Sequence, residues 1–144
     1  HSSPDKLNER LRHEKDGRCI TFVAEQDGVG AGYVSLYWNA EWGAYKNMNI
    51  PEIVDFNVLI KYRRRGLGHI MMNVCEQLAA TRCDRICLGV GLYRDYGTAQ
   101  RMYVKRGYVP DGSGVWYGDE NIEPGKDVCN DDDLVLFLSK NLKK

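Results

Sequence analysis

The stretch PEIVDFNVLIKYRRRGLGHIMMNVCEQLAA, residues 51–80, constrains the fold more than any other part of the chain. A nearly continuous apolar run (51–60) ends in three arginines, then Gly-Leu-Gly, then a helix-patterned segment. An apolar run with little polar alternation reads as a strand covered on both faces, which places it centrally in a sheet. In the segment that follows, Ile70, Val74 and Leu78 form one row at the 3.6-residue period, with Leu67 and Met71 beside them. That pattern predicts a helix packed on the sheet. Strand, tight turn and covering helix together point to the α/β class.

The rest of the chain supplies further elements of the same kind. Ser3-Pro4-Asp5 has the order of a cap, a first-turn proline and a first-turn acid, so a short charged helix should follow. Leu7 and Leu11 give it an apolar side, and Asp16-Gly17 closes it. Residues 18–26 and 30–38 read as strands joined by the Asp27-Gly28 turn. Residues 85–93 form another buried strand, and 95–107 a helix ending at Gly107 with Lys105 and Arg106 in its last turn. A strand over 108–118, bent at Pro110-Asp111-Gly112, and a last strand over 133–142 flank an acidic loop, 119–133. Hairpins first and helical crossovers later predict a mixed sheet with helices on its faces, and 144 residues suit a single domain.

Charge narrows the function classes. Twenty basic and twenty acidic side chains leave no net field to gather nucleic acid or an anionic membrane, so neither is an expected partner. No apolar run reaches the roughly 18 residues of a membrane-spanning helix. The five cysteines are scattered without Cys-x-x-Cys or Cys/His ligand spacing. No metal or disulfide is therefore expected, and a reducing cytoplasm is the expected location. Any anion site must come from local clustering, and residues 63–68 are where it occurs.

A helix start leaves four N–H groups unpaired and carries about half a positive charge. Gly66 and Gly68 allow the backbone to approach a ligand without Cβ atoms in the way, and Arg63, Arg64 and Arg65 add flanking charge. The arginines alone would read as a solvated basic turn. With the glycines, between an apolar strand and a helix, they read as a cradle for phosphate or diphosphate. A Walker A loop is disfavoured because Gly-Lys-Ser/Thr is missing, and a dinucleotide fingerprint because only Gly66-x-Gly68 is present.

The segment RRRGLG resembles the Q/R-x-x-G-x-G/A signature of the GCN5-related N-acetyltransferase (GNAT) superfamily, with Arg63, Gly66 and Gly68 at the defining positions. FNVLIKY resembles the family's central strand with its splayed end, and AQRMYVKRGYVP its second motif, with Tyr103, Gly107 and Tyr108 in register. The GYVPDG and DDDLVL segments are similar to those of small bacterial members. The resemblance implies a mixed, mostly antiparallel central sheet with helices on both faces. It also implies two departures. The family's first strand and helix would precede residues 3–16, and this chain is expected to lack them. Many relatives carry an asparagine contacting the cofactor where this chain has Tyr96.

What the resemblance implies for chemistry is direct acetyl transfer from acetyl-CoA to an amine. The backbone of Phe56, Asn57 and Val58 would pair with the pantetheine arm, and a peptide N–H near Val58 would face the oxyanion. The amides of Arg64, Arg65, Gly66, Leu67 and Gly68 would hold the diphosphate. Tyr103, with a phenol pKa of about 10, would protonate the departing thiolate; a tyrosine on an amphipathic helix also serves as core. Glu52 stands fourteen residues before Gly66, where the histone-acetyltransferase branch has its glutamate base. Strict alternation places Glu52 with Val54, Phe56 and Val58 and sets Asp55, the alternative base or acceptor contact, on the opposite face unless a bulge intervenes. His69 and His13 are weaker candidates. The acidic loop, Glu52, Asp55 and Asp95 would suit a small cationic amine. The aromatic stretch 37–45 would line an acceptor groove or pack. A homodimer is left open, and the competing reading is a non-catalytic acyl-CoA-binding sensor.

Overall fold

A computed structural model describes residues 4–58 and 66–142. Helix α1 (Pro4–Lys15) leads into the hairpin β1 (Cys19–Gln26) and β2 (Val29–Tyr37), followed by β3 (Glu52–Val58). Then come α2 (Leu67–Ala79), β4 (Arg85–Gly91), α3 (Gly97–Lys105), β5 (Val109–Tyr117), the short β6 (Glu120–Asn121) and β7 (Leu134–Asn141). One seven-stranded sheet runs in the order β1-β2-β3-β4-β7-β5-β6. Every neighbouring pair is antiparallel except β3 and β4.

Local chemistry explains the boundaries. Helix α1 ends where Gly17 takes φ +78. There Arg18 N–H donates to the His13 carbonyl and Gly17 N–H to that of Glu14. Helix α3 closes in the same way at Gly107, φ +98, with Tyr108 N–H on the Tyr103 carbonyl and Gly107 N–H on that of Val104. In both, a glycine in the left-handed region turns the chain so that two orphan carbonyls are satisfied.

The main core lies between the sheet and helices α2 and α3, with Val34, Leu36, Ile53, Ile86, Leu88 and Leu138 rising from the strands. A smaller core on the opposite face gathers Ala40, Tyr45, Ile50, Cys87 and Phe137, and α1 lies on that face against β1.

Two helix faces differ from the sequence pattern. Helix α2 buries Met71, Met72, Cys75 and Ala79, whereas Ile70 is 57% and Val74 37% exposed. The helix is turned by about one residue, because the small Cys75 and Ala79 allow close approach and flexible methionines fill the remaining gaps. Helix α1 buries Arg10 at 6% exposure and leaves Leu11 at 41%.

Candidate active site

The sheet opens between its two parallel strands. Strand β4 pairs with β3 only at Glu52↔Cys87 and Ile53↔Leu88. Beyond that rung β3 continues along β2, while β4 pairs along its whole length with β7. The two strands therefore diverge from residue 54 onward, and a cleft widens toward the end of β3.

A bulge sets what each wall of that cleft displays. Ser35 opposes Val54 and Tyr33 opposes Asn57, so Val34 faces two residues, Asp55 and Phe56. Asp55 sits at φ +56, a left-handed conformation that aspartate adopts more readily than most residues. The extra residue inverts the alternation. Glu52 and Asp55 consequently both serve the α1 face. Phe56 and Val58 pack against the α2/α3 core instead of sharing the side of Glu52. This corrects the strict alternation.

On the α2/α3 side, the Phe56 ring meets that of Tyr103 edge-on at 6.3 Å between centroids. Tyr103 is 6% exposed, and burial pushes its phenol pKa upward. No group among the described residues hydrogen-bonds its hydroxyl. Gly68 faces the same ring: a Cβ there would lie 3.4 Å from Phe56 Cζ and 3.6 Å from Met102 Sδ. Gly66 opens α2 at φ +78 with no side-chain cap, and the space beside it is empty within 4 Å. Among the described residues, then, nothing stands within 4 Å of where a Gly66 Cβ would project. Arg63, Arg64 and Arg65 lie outside the described residues.

On the α1 side, Glu52 is 4% exposed, and its Oε1 has no hydrogen-bond partner. Burial, reinforced by Glu41 and opposed by the Arg10 guanidinium, pushes its carboxyl up to about 8. A carboxyl in that state gains or loses a proton near neutral pH, the property a general base needs. Asp55 is engaged otherwise. Arg10 Nε donates to its Oδ2 at 2.6 Å, and Lys6 Nζ is 3.8 Å from Oδ1. Arg10 also donates to Tyr37 Oη at 2.9 Å, and Tyr37 Oη shares a 2.6 Å hydrogen bond with His13 Nδ1. The sequence does not single out Arg10, since an arginine on a charged helix reads as solvent-facing, and it marks Tyr37 only as part of the aromatic stretch 37–45.

Tyr96 lies just past β4, with its ring against Gly91 where any Cβ would collide. Its hydroxyl donates to Asp132 Oδ1 at 2.7 Å, beside that of Tyr93 at 2.6 Å. The two phenols hold the Asp132 carboxyl below its usual range. Asp132 thereby brings the acidic loop to the end of β4, while Asp95 is exposed. His69 is exposed and contacts Arg106. Among the described residues, no group of three or more His, Cys, Asp or Glu side chains is placed to hold a metal. No helix there is long and apolar enough to cross a membrane.

The fold is similar to that of solved acetyltransferases. The ribosomal-protein-alanine N-acetyltransferase from Brucella melitensis aligns at TM-score 0.68 and 15% identity, covering 97% of this chain and 79% of that one. Nourseothricin acetyltransferase aligns at TM-score 0.66 and 22% identity, covering 89% and 68%. The PaiA N-acetyltransferase from Thermoplasma acidophilum, solved with coenzyme A, aligns at TM-score 0.64 and 13% identity, covering 96% and 71%. At these identities the likeness is one of fold. No curated protein matches the chain. The sequence itself matches the Acetyltransferase (GNAT) family over residues 1–108, and the chain belongs to that family. The cosubstrate of the family is acetyl-CoA.

Proposed function

We propose that the chain is an N-acetyltransferase that moves the acetyl group of acetyl-CoA onto a primary amine of a small cationic acceptor, by direct attack in a ternary complex. One observation carries the reading. A buried carboxyl whose Oε1 has no hydrogen-bond partner stands one rung before the sheet splays, and a buried tyrosine lines the other side. A structural glutamate is hydrogen-bonded when buried, because an unpaired polar group costs about 1–3 kcal/mol.

The bound thioester supplies an activated acyl carbon and a thiolate leaving group. Peptide groups of Phe56, Asn57 and Val58 align the pantetheine arm along β3 beyond its pairing with β4. The first turn of α2, at Gly66, Leu67 and Gly68, takes the diphosphate, with Arg63, Arg64 and Arg65 as flanking charge. Tyr96 closes the far wall through its ring, its hydroxyl being engaged by Asp132. Glu52 removes a proton from the acceptor's ammonium, so that the free amine attacks. Tyr103 gives a proton to the departing sulfur and its phenolate takes back the second proton shed by the acylated nitrogen; its raised pKa keeps it protonated until the sulfur departs. Glu52 takes this role rather than Asp55, whose carboxylate is committed to Arg10 and Lys6. The ionised Asp132 near the mouth favours a cationic acceptor.

A screen of primary amines for release of free coenzyme A thiol tests the reading. Turnover with at least one cationic amine is expected. Binding of acetyl-CoA without thiol release for any amine would instead identify a sensor.

A further inference from the structure

We infer that Arg10 is a positioning residue for the acetyl-CoA cleft: from the opposite face of the sheet, its ion pair with Asp55 locks the β3 bulge that turns Phe56 toward Tyr103 and Gly68. The inference rests on the reading that coenzyme A occupies the splay. Asp55 has a positive φ, +56, at the residue where the β2–β3 register shifts. A non-glycine residue in that region is strained unless its surroundings over-determine it. Here the surroundings are side chains of α1. Arg10 Nε meets Asp55 Oδ2 at 2.6 Å, and Lys6 lies 3.8 Å from the other oxygen.

Arg10 is itself held from several sides. Its guanidinium donates to Tyr37 and lies 5.4 Å and 5.3 Å from the ring centroids of Tyr37 and Trp42. Tyr37 in turn is the β2 partner of Glu52. An arginine so buried on a mostly charged helix is not needed to cover apolar surface. Its geometry is that of a pin through the bulge.

The consequence falls on the far side of the sheet. Without the extra residue, Phe56 would point toward α1 and leave the space between Tyr103 and Gly68. The backbone beyond it, Asn57 and Val58, would shift register along β2 and present the wrong groups to the cleft. Releasing the pin should therefore depopulate the cofactor-competent strand. Apparent affinity should drop by the fraction lost, with no group that touches the cofactor removed.

The test is calorimetric binding of coenzyme A to wild type and to Arg10→Met, which keeps most of the side-chain stem. Thermal melts would confirm that each protein is folded. The expected dissociation constant rises about tenfold in Arg10→Met. Adding Asp55→Asn should restore it, because asparagine accepts a left-handed conformation without a counter-charge; adding Asp55→Ala should not, because alanine resists it. Unchanged binding in Arg10→Met, or equal rescue by Asn and Ala, would overturn the pin. Equal rescue would mean that only an unpaired charge mattered. Should Arg10→Met fail to melt cooperatively, the comparison passes to Asp55→Asn and Asp55→Ala with Arg10 intact: weaker binding in both, with Ala the weaker, supports the pin, and wild-type binding in Asp55→Asn overturns it. A wild type that binds no coenzyme A would overturn the cleft reading and the pin together.

Discussion

Glu52 and Glu76 are both glutamates withdrawn from solvent, and they have opposite surroundings. Glu76, on α2, accepts from Arg106, Lys140 and Tyr108 at 2.8–3.1 Å. Burial acts to raise its pKa, but those donors more than cancel it and the net shift is downward. Glu52, on β3, has an oxygen with no donor at all, and burial prevails, pushing its carboxyl up to about 8. The first ties α2 to α3 and β7. The second does nothing for the fold that a glutamine would not do better. A buried acid surrounded by donors holds structure together, whereas one left without them is available for chemistry.

That contrast can be broken in several ways. Glu52→Gln should lower kcat by about 10³-fold with an active amine, measured as thiol release, while coenzyme A affinity stays near wild type. A variant with full activity would place the base elsewhere. Tyr103→Phe should cost about 10²-fold in kcat with little change in cofactor affinity. If binding collapses and residual chemistry is unchanged, that tyrosine is structural. Glu76→Gln should behave in the reverse sense. Loss of a charge-assisted network should destabilise the protein by about 2–3 kcal/mol in denaturant titration, with kcat/KM within about twofold of wild type.

Stability against pH sharpens the contrast further. The folded-state pKa of Glu52 lies above its unfolded value, so between about 4.5 and 8 the native state holds the proton more tightly. The destabilisation this causes is absent below the unfolded pKa and grows as pH rises toward 8. Glu52→Gln should therefore melt like wild type near pH 4 and be more stable at pH 8, by up to about 4 kcal/mol. Glu76 is depressed, so its contribution is present above the unfolded pKa and is lost as pH falls through the folded one. Equal melting of wild type and Glu52→Gln at pH 8 would argue that Glu52 is better solvated than its burial implies.

Much of the fold was legible because its signals are local. Glycines after α1 and α3, the Asp27-Gly28 hairpin and the apolar runs of β3 and β4 mark their elements to within a few residues. Faces were harder to read. Ile70 and Val74 are more apolar than Cys75 and Ala79, yet close packing selects the smaller pair. At the site, strand alternation put Asp55 opposite Glu52, since no residue pattern announces a bulge built on an aspartate with positive φ. Arg10 was invisible for a similar reason: its burial depends on Asp55, Tyr37 and Trp42, brought to it only by the folded sheet.

The pH dependence of kcat/KM for wild type and Glu52→Gln decides whether Glu52 is the base. With an amine found active in the screen, wild type should show an ionisation near pH 8 below which the rate falls, and the variant should lose that ionisation along with most of its rate. The same limb persisting in Glu52→Gln at undiminished rate would contradict the claim.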